Sequence, residues 1–158
     1  EVMDINSGAS LESLESNSFD LIVIQDTLLF YFVPQNNVKL MNVDKLLSEL
    51  RRVLKKGKGL LYVIEPHGMF WLAPWLGSVE HPFTVLTEYQ QKKYGVAPTL
   101  GQLSDAFFRN GLFIRRILEP GVSDEAKNYE KRGYFFASQF PPWWVFELSG
   151  ENENCFKV

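Results

Sequence analysis

The chain has 158 residues and the composition of a globular protein, enough for one domain with a hydrophobic core. Its net charge of -3 argues against the basic face of a nucleic-acid-binding protein, and no apolar run approaches the ~20 residues of a membrane helix. The single cysteine, Cys155, excludes disulfide frameworks and thiolate metal clusters, so we expect a cytoplasmic protein with no metal site, nucleic-acid partner or membrane partner.

The first predicted elements are strands of a parallel sheet. Val2 to Ile5 is a short apolar stretch followed by turn-forming residues, which indicates the end of a strand. The segment Phe19 to Ile24 ends in four consecutive apolar residues. This pattern predicts a second strand that is buried on both faces, as is typical of parallel sheets.

The clearest helix is predicted from residue 43 to residue 54, where Val and Leu recur at three- and four-residue spacing. Asn42 is a suitable cap for its first turn, and Gly57 is a suitable stop. Leu60 to Ile64 follows as another buried strand. Strand, helix and strand with short links predict two parallel strands joined by a right-handed crossover.

Residues 67–97 interrupt this alternation with prolines and bulky aromatic residues, and we expect short helices and loops there. Thr99 and Gln102 then have the spacing of a capping box at the start of a helix. Glycine at position 111 indicates the end of that helix.

Two closing strands are predicted after this helix, from Phe113 to Leu118 and from Trp143 to Leu148, with a polar stretch at 124–132 between them. The sequence allows these two strands to pair with each other in an antiparallel arrangement. Residues 149–158 are predicted to form a polar, solvated tail.

Several different short motifs follow one another along the chain in the order and spacing typical of one protein family. Ser18 to Val23 resembles the SFDLV segment that opens the fourth strand of class I methyltransferases. The segment LRRVLKKGKG at 50–59 resembles their RVLKPGG turn, and Glu65-Pro66 resembles the EP that ends the fifth strand. Asn110 to Phe113 resembles the residues that lead into the sixth strand. The sequence therefore resembles an S-adenosylmethionine-dependent methyltransferase of the small-molecule type.

The resemblance implies an α/β fold with a Rossmann-like class I methyltransferase sheet. Family strands 4, 5, 7 and 6 would lie side by side, with Val2 to Ile5 as a remnant of strand 3. Residues 1–148 would form the C-terminal part of one methyltransferase domain, within which 66–98 is an insertion or lid that contacts the substrate. The family's glycine-rich loop and the acidic end of its second strand do not occur in the sequence, so we expect an N-terminally truncated domain.

The resemblance also implies S-adenosylmethionine as the cofactor. Asp4 and Ile5 match the third-strand position that meets the adenine ring. Gln25, Asp26 and Thr27 match the turn that lies against the methionine part, at the carboxyl edge where ligands of open α/β sheets bind. Asp26 is also a candidate catalytic base, and its alternative role is to cap the helix that follows.

A second group of candidates follows the next strand. Glu65 and His67 are predicted to contact the substrate, and His67 is the best candidate base because imidazole titrates near neutral pH. A structural hydrogen bond is the alternative for this histidine. Phe70, Trp71 and Tyr89 are predicted to line the substrate pocket, with plain core packing as the alternative. Such a pocket would take an apolar or aromatic acceptor, or an amine held by ring faces.

Three functions remain in view at this point. The first is methyl transfer to a small-molecule acceptor. The second is a catalytically silent, methyltransferase-like module that binds a partner. The third is a nicotinamide-dependent reductase, against which the ending from Pro141 to Leu148 argues. The sequence makes no prediction of the oligomeric state.

Overall fold

The computed structural model describes residues 9–32, 42–68, 86–89, 92–95, 98–128 and 131–151. The predicted strand at Val2 to Ile5 therefore lies outside the described residues. The elements in chain order are the 3-10 helix Ala9–Ser13, β1 (Leu21–Gln25), the 3-10 helix Leu28–Phe32, α1 (Val43–Val53), β2 (Leu60–Pro66), β3 (Leu86–Tyr89), β4 (Lys92–Gly95), α2 (Leu100–Arg109), β5 (Phe113–Leu118), the 3-10 helix Asp124–Asn128, α3 (Lys131–Ala137) and β6 (Trp143–Ser149).

Four of the strands form one sheet in the order β1-β2-β6-β5. β1 and β2 are parallel, whereas β6 runs antiparallel to both of its neighbours. The predicted parallel pair is confirmed, and the order agrees with the predicted one. The two closing strands, whose pairing the sequence left open, are antiparallel. Because β1, β2 and β5 run in the same direction, their carboxyl ends meet at one edge of the sheet, where β6 begins.

The sequence predicted the capping residue at the start of α1 correctly, but the predicted stop lies beyond the observed end of the helix. Asn42 caps the helix as predicted, since its side chain accepts a hydrogen bond from the Lys45 amide at 3.0 Å. The helix ends at Val53. Gly57, the predicted stop, lies beyond that end, in a turn where its φ of +77° suits glycine.

The helix α2 begins with the predicted capping box. The Thr99 hydroxyl accepts from the Gln102 amide at 3.1 Å, and the Gln102 side chain accepts from the Thr99 amide at 2.8 Å. Thr99→Ala is expected to lower the free energy of unfolding by about 1 kcal/mol, because one amide of the first turn loses its partner. Urea denaturation measures this loss. Thr99→Ser keeps the hydroxyl and should retain the stability, and an equal loss in both variants would contradict the capping role.

The core lies between one face of the sheet and the helices α1 and α2. Phe107 of α2 meets Phe146 of β6 edge to face, with ring centroids 5.3 Å apart. Both rings are fully buried. The other buried side chains of this core include Leu46, Leu47, Leu50, Leu61, Val63, Leu103 and Leu148.

The face of β1 that points away from the helices is exposed, contrary to the sequence prediction. Leu21 and Val23 are 56% and 55% exposed, whereas Ile24 on the helix side is 8% exposed. The expectation of a strand buried on both faces is wrong for β1. The physical reason is its position: among the described residues, β1 is an edge strand, and α1 and α2 cover the other face.

The region between β2 and α2 also differs from the prediction. Instead of only short helices and loops, it contains the antiparallel hairpin of β3 and β4. Aromatic and β-branched residues in these strands, such as Thr87 and Tyr94, favour extended structure. The polar stretch that was expected at 124–132 contains a 3-10 helix and the start of α3. β6 extends to Ser149, which is buried, one residue into the predicted tail.

Candidate functional site

The predicted polar turn after β1 lies at the carboxyl edge of the sheet. Gln25 is in register with Ile64 of β2, and the Asp26 amide donates to the Ile64 carbonyl at 2.9 Å. Asp26 has a φ of +50°, in the left-handed region that few side chains other than Asn and Asp adopt readily. The Gln25 side-chain amide donates to the Asp26 carboxylate at 3.3 Å. Two adjacent polar side chains are thus presented at the edge where ligands of open α/β sheets bind.

Glu65 binds the same turn from β2. Its Oε1 accepts hydrogen bonds from the amides of Thr27 at 3.0 Å and Leu28 at 2.6 Å, and its Oε2 accepts from the amide of Leu29 at 3.1 Å. The residue is 1% exposed. Substrate contact was predicted for this carboxylate, but both of its oxygens bind backbone amides of the protein itself.

The burial of Glu65 raises the pKa of its carboxyl group to about 7 from the ordinary value of 4.5. The hydrogen bonds from the three amides act in the opposite direction, and the charge of nearby Asp26 adds to the increase. Desolvation therefore outweighs the amide hydrogen bonds, and the carboxyl group titrates near neutral pH.

His67 follows β2 at the same edge and is held on three sides. Its backbone amide donates to the Pro142 carbonyl at 2.9 Å, and its ring lies 4.4 Å from the indole of Trp144, centroid to centroid. Its Nε2 is 3.1 Å from Oε1 of Glu119, the residue that directly follows β5. The imidazole is largely buried and Glu119 is half exposed. A histidine oriented by a carboxylate is a common arrangement for a general base.

The structure brings five predicted site residues to one edge of the sheet, namely Gln25, Asp26, Thr27, Glu65 and His67. Asp4, Ile5, Phe70 and Trp71 lie outside the described residues. Tyr89 is in β3, and its side chain is not among those described. Their predicted roles therefore remain predictions.

Sequence reasoning missed Glu119 and Trp144 as neighbours of His67. The signal for Glu119 was available, because it is an acidic residue directly after a strand that runs parallel to β2. The neighbourhood of Trp144 depends on the antiparallel register that pairs it with Glu65, which the sequence does not reveal.

Another carboxylate, that of Glu147, lies further along the sheet, away from this edge. It is in register with Tyr62 and accepts from the Tyr62 hydroxyl at 2.7 Å and from Arg116 at 2.9 Å. The hydrogen bond from Tyr62 is the main cause that lowers the pKa of the Glu147 carboxyl, and Arg116 adds to the decrease. Because Glu147 has these hydrogen-bond partners of its own at a distance from the turn, it is a suitable reference position.

Metal-ligating side chains are not clustered in the part of the chain that the structure describes. It contains no group of three or more His, Cys, Asp or Glu side chains placed to hold a metal ion. In the same described residues, every helix is too short or too polar to cross a membrane.

No protein-family model matches the sequence, and no curated protein sequence matches it. Solved structures do match. A Listeria monocytogenes protein described as an S-adenosylmethionine-dependent methyltransferase has a TM-score of 0.59 and 13% identity, over 90% of this chain and 67% of its own. An S-adenosylmethionine-dependent methyltransferase of Mesorhizobium loti has a TM-score of 0.59 and 15% identity, over 94% of this chain and 67% of its own. A SAM-dependent methyltransferase of Methanosarcina mazei has a TM-score of 0.52 and 16% identity, over 86% of this chain and 61% of its own.

These likenesses show that the chain has the Rossmann-like α/β fold of the class I methyltransferases. At 13–16% identity they show the fold alone. The chain spans about two thirds of the length of the first two structures. The expectation of this fold from the sequence motifs is confirmed.

Proposed function

We propose that the protein transfers a methyl group from S-adenosylmethionine to a small-molecule acceptor. The observation that carries the proposal is the convergence of the Gln25–Thr27 turn and the His67–Glu119 pair on the carboxyl edge of a sheet with the methyltransferase fold. This edge is the general ligand-binding position of open α/β sheets.

The residues at this edge fit the methionine end of the donor. The Asp26 carboxylate is a natural acceptor for an ammonium group, and the Gln25 side chain offers both a donor and an acceptor. The Thr27 amide is already bound to Glu65, so the side chains of the turn, rather than this amide, are the groups we assign to donor binding. Asp4 and Ile5 are the proposed contacts for the adenine ring, by resemblance to the family.

When bound, S-adenosylmethionine supplies the activated methyl group on its sulfonium, and the main task of the protein is to align donor and acceptor. A base is needed only for a nucleophile that holds its proton at neutral pH. We assign this role to His67. Its Nε2 faces Glu119, whose carboxylate stabilises the imidazolium that forms when the ring takes up a proton. Asp26 is the second candidate base.

A small apolar or aromatic acceptor agrees best with the sequence. We assign substrate contacts to Phe70, Trp71 and Tyr89 and a lid role to residues 66–98, since pockets for small molecules are mostly apolar. The net charge of -3 does not favour a nucleic-acid acceptor. The cytoplasm is the proposed compartment because Cys155 is the only cysteine.

Donor binding is the first test. The gene product that contains this sequence is titrated calorimetrically with S-adenosylmethionine, alongside an Asp26→Ala variant and the control Glu147→Gln. Saturable binding is expected for the natural protein and the control. About tenfold weaker binding is expected for Asp26→Ala, the scale of one hydrogen bond to a charged group.

A panel of small acceptors then tests turnover by release of S-adenosylhomocysteine. Absence of donor binding in the natural protein would overturn the proposal, and binding without turnover on any acceptor would favour a silent module.

A further inference from the structure

Glu65, near the end of β2, binds the backbone of a turn that is distant in sequence. Its carboxylate accepts hydrogen bonds from three consecutive backbone amides, those of Thr27, Leu28 and Leu29, at 3.0, 2.6 and 3.1 Å. These amides open the 3-10 helix Leu28–Phe32, whose first N–H groups have no partner within the helix. The cap of this helix therefore comes from a distant strand.

The side chains of the turn itself do not cap these amides. The Thr27 hydroxyl donates to the Gln25 carbonyl at 2.8 Å. The Asp26 carboxylate accepts from the Gln25 side chain, and the Asp26 amide is bound to the Ile64 carbonyl. The four amides from Asp26 to Leu29 thus donate hydrogen bonds to two adjacent residues of β2, Ile64 and Glu65.

We infer that Glu65 is a positioning residue of the methyl-donor site. Its carboxylate holds the backbone amides from Thr27 to Leu29, so that the side chains of Gln25 and Asp26 face the donor. The inference rests on the proposed function. It assigns to Glu65 no contact with donor or substrate, because the residue is buried and both oxygens bind amides. The left-handed φ of Asp26 is a conformation that such external hydrogen bonds stabilise.

The positioning depends on the charge state of the carboxyl group. The ionised form accepts from all three amides, whereas the protonated form carries a hydrogen on one oxygen and loses acceptor capacity. Burial raises the pKa of Glu65 to about 7. Of the titratable groups on the neighbouring elements, Asp26 lies in the turn, Tyr31 lies in the 3-10 helix, and Glu147 lies on β6, where it binds the Tyr62 hydroxyl. His67 directly follows the end of β2. Donor affinity is therefore expected to rise as pH rises through 7.

The test compares donor affinity at pH 6 and pH 8 in the natural gene product, Glu65→Gln and Glu147→Gln. The ionised fraction of a group with a pKa near 7 rises from about one tenth to nine tenths over this range, so the natural protein should gain about tenfold in affinity. Glu65→Gln presents an NH₂ group to one of the three amides and should bind about tenfold more weakly at pH 8, with little change between the two pH values. Glu147→Gln should follow the natural protein.

A second measurement reads the turn without the donor. The amide resonances of Thr27, Leu28 and Leu29 are followed by NMR from pH 5 to pH 9. They should shift together with one midpoint near 7 in the natural protein, and this shared midpoint should vanish in Glu65→Gln. This titration and the pH profile of the natural protein remain decisive even where the variant folds poorly.

The outcomes separate the two proposals. A natural protein that binds no donor at either pH overturns the proposed function, and the donor-positioning role of Glu65 with it. A natural protein that binds the donor while Glu65→Gln matches its affinity and pH profile overturns the positioning role alone. The positioning role is also overturned if the three amides show no common midpoint that Glu65→Gln removes.

Discussion

His67→Gln is expected to lower the turnover number of methyl transfer by about 100- to 10,000-fold for an acceptor that must lose a proton, the usual contribution of a general base. Glutamine is polar and of similar reach, but it has no nitrogen that takes up a proton near neutral pH. The KM for the donor should change little, because donor contacts are assigned to the Gln25–Thr27 turn. Steady-state rates of S-adenosylhomocysteine release measure both quantities.

Two further variants refine this prediction. Glu119→Gln keeps a hydrogen-bonding side chain 3.1 Å from the imidazole but removes the charge that stabilises the imidazolium, so a smaller loss of about tenfold is expected. Glu147→Gln is the same substitution on the neighbouring strand β6 and should leave the rate unchanged.

A purely structural role for His67 gives a different result. The ring packs against Trp144, and loss of that contact would slow all acceptors alike. An acceptor that is already deprotonated at neutral pH needs no base and should be methylated by His67→Gln at nearly the natural rate. Equal losses on both kinds of acceptor would contradict the assignment of His67 as the base.

Elements that depend on local chemistry were predictable from the sequence. Asn42 begins α1 and Thr99 begins α2 because each side chain satisfies an amide of its own first turn, three residues along the chain. The parallel pair β1 and β2 was predictable for a related reason, since a short strand–helix–strand connection leaves few other arrangements.

Features that depend on tertiary surroundings were not predictable. The apolar character of Leu21 and Val23 is the same whether a layer covers them or not, and their exposure follows from the position of β1 in the described sheet. The hairpin of β3 and β4 was missed because prolines and aromatic residues in the same region suggested irregular structure.

The candidate site shows the same division. The rule that polar residues after parallel strands gather at one edge placed Gln25, Asp26 and His67 correctly. To predict which face of the sheet the Glu65 side chain points to, the two-residue period of a strand is needed as well. Leu61, Val63 and Glu65 occupy every second position of β2, so all three point toward the face that the helices cover. That alternation was readable from the sequence, but its partners in the turn were not.

The stability of the protein should fall as pH rises through neutrality because of the same carboxyl group. The pKa of Glu65 is about 7 in the folded state against an ordinary value of 4.5, so the folded state binds more protons than the unfolded state between these values. The slope of the unfolding free energy with pH is then negative over this window. The Glu65 contribution is fully present below pH 4.5 and is lost as pH rises through 7. The total loss is about 3 kcal/mol.

Urea denaturation of the natural protein and Glu65→Gln at pH steps from 4.5 to 8 isolates this contribution. Exposed carboxylates such as Asp20 and Asp124, whose pKa values are lowered by hydrogen bonds from Lys55 and Tyr134, act in the opposite direction in both proteins. The difference between the two curves should therefore move by about 3 kcal/mol in favour of the variant as pH rises. Parallel curves would contradict a raised pKa at Glu65.

The two pH dependences of Glu65 have opposite signs, which follows from one cause. The ionised carboxylate holds the three amides of the turn, and that same ionised form is the one that burial disfavours. Above pH 7 the protein is expected to bind its donor more tightly and to be less stable. A buried polar group that lowers stability while it fixes the geometry of a site is a recurrent feature of functional sites. Such opposite profiles in one protein, both removed by Glu65→Gln, would distinguish a positioning carboxylate from one that serves the fold alone.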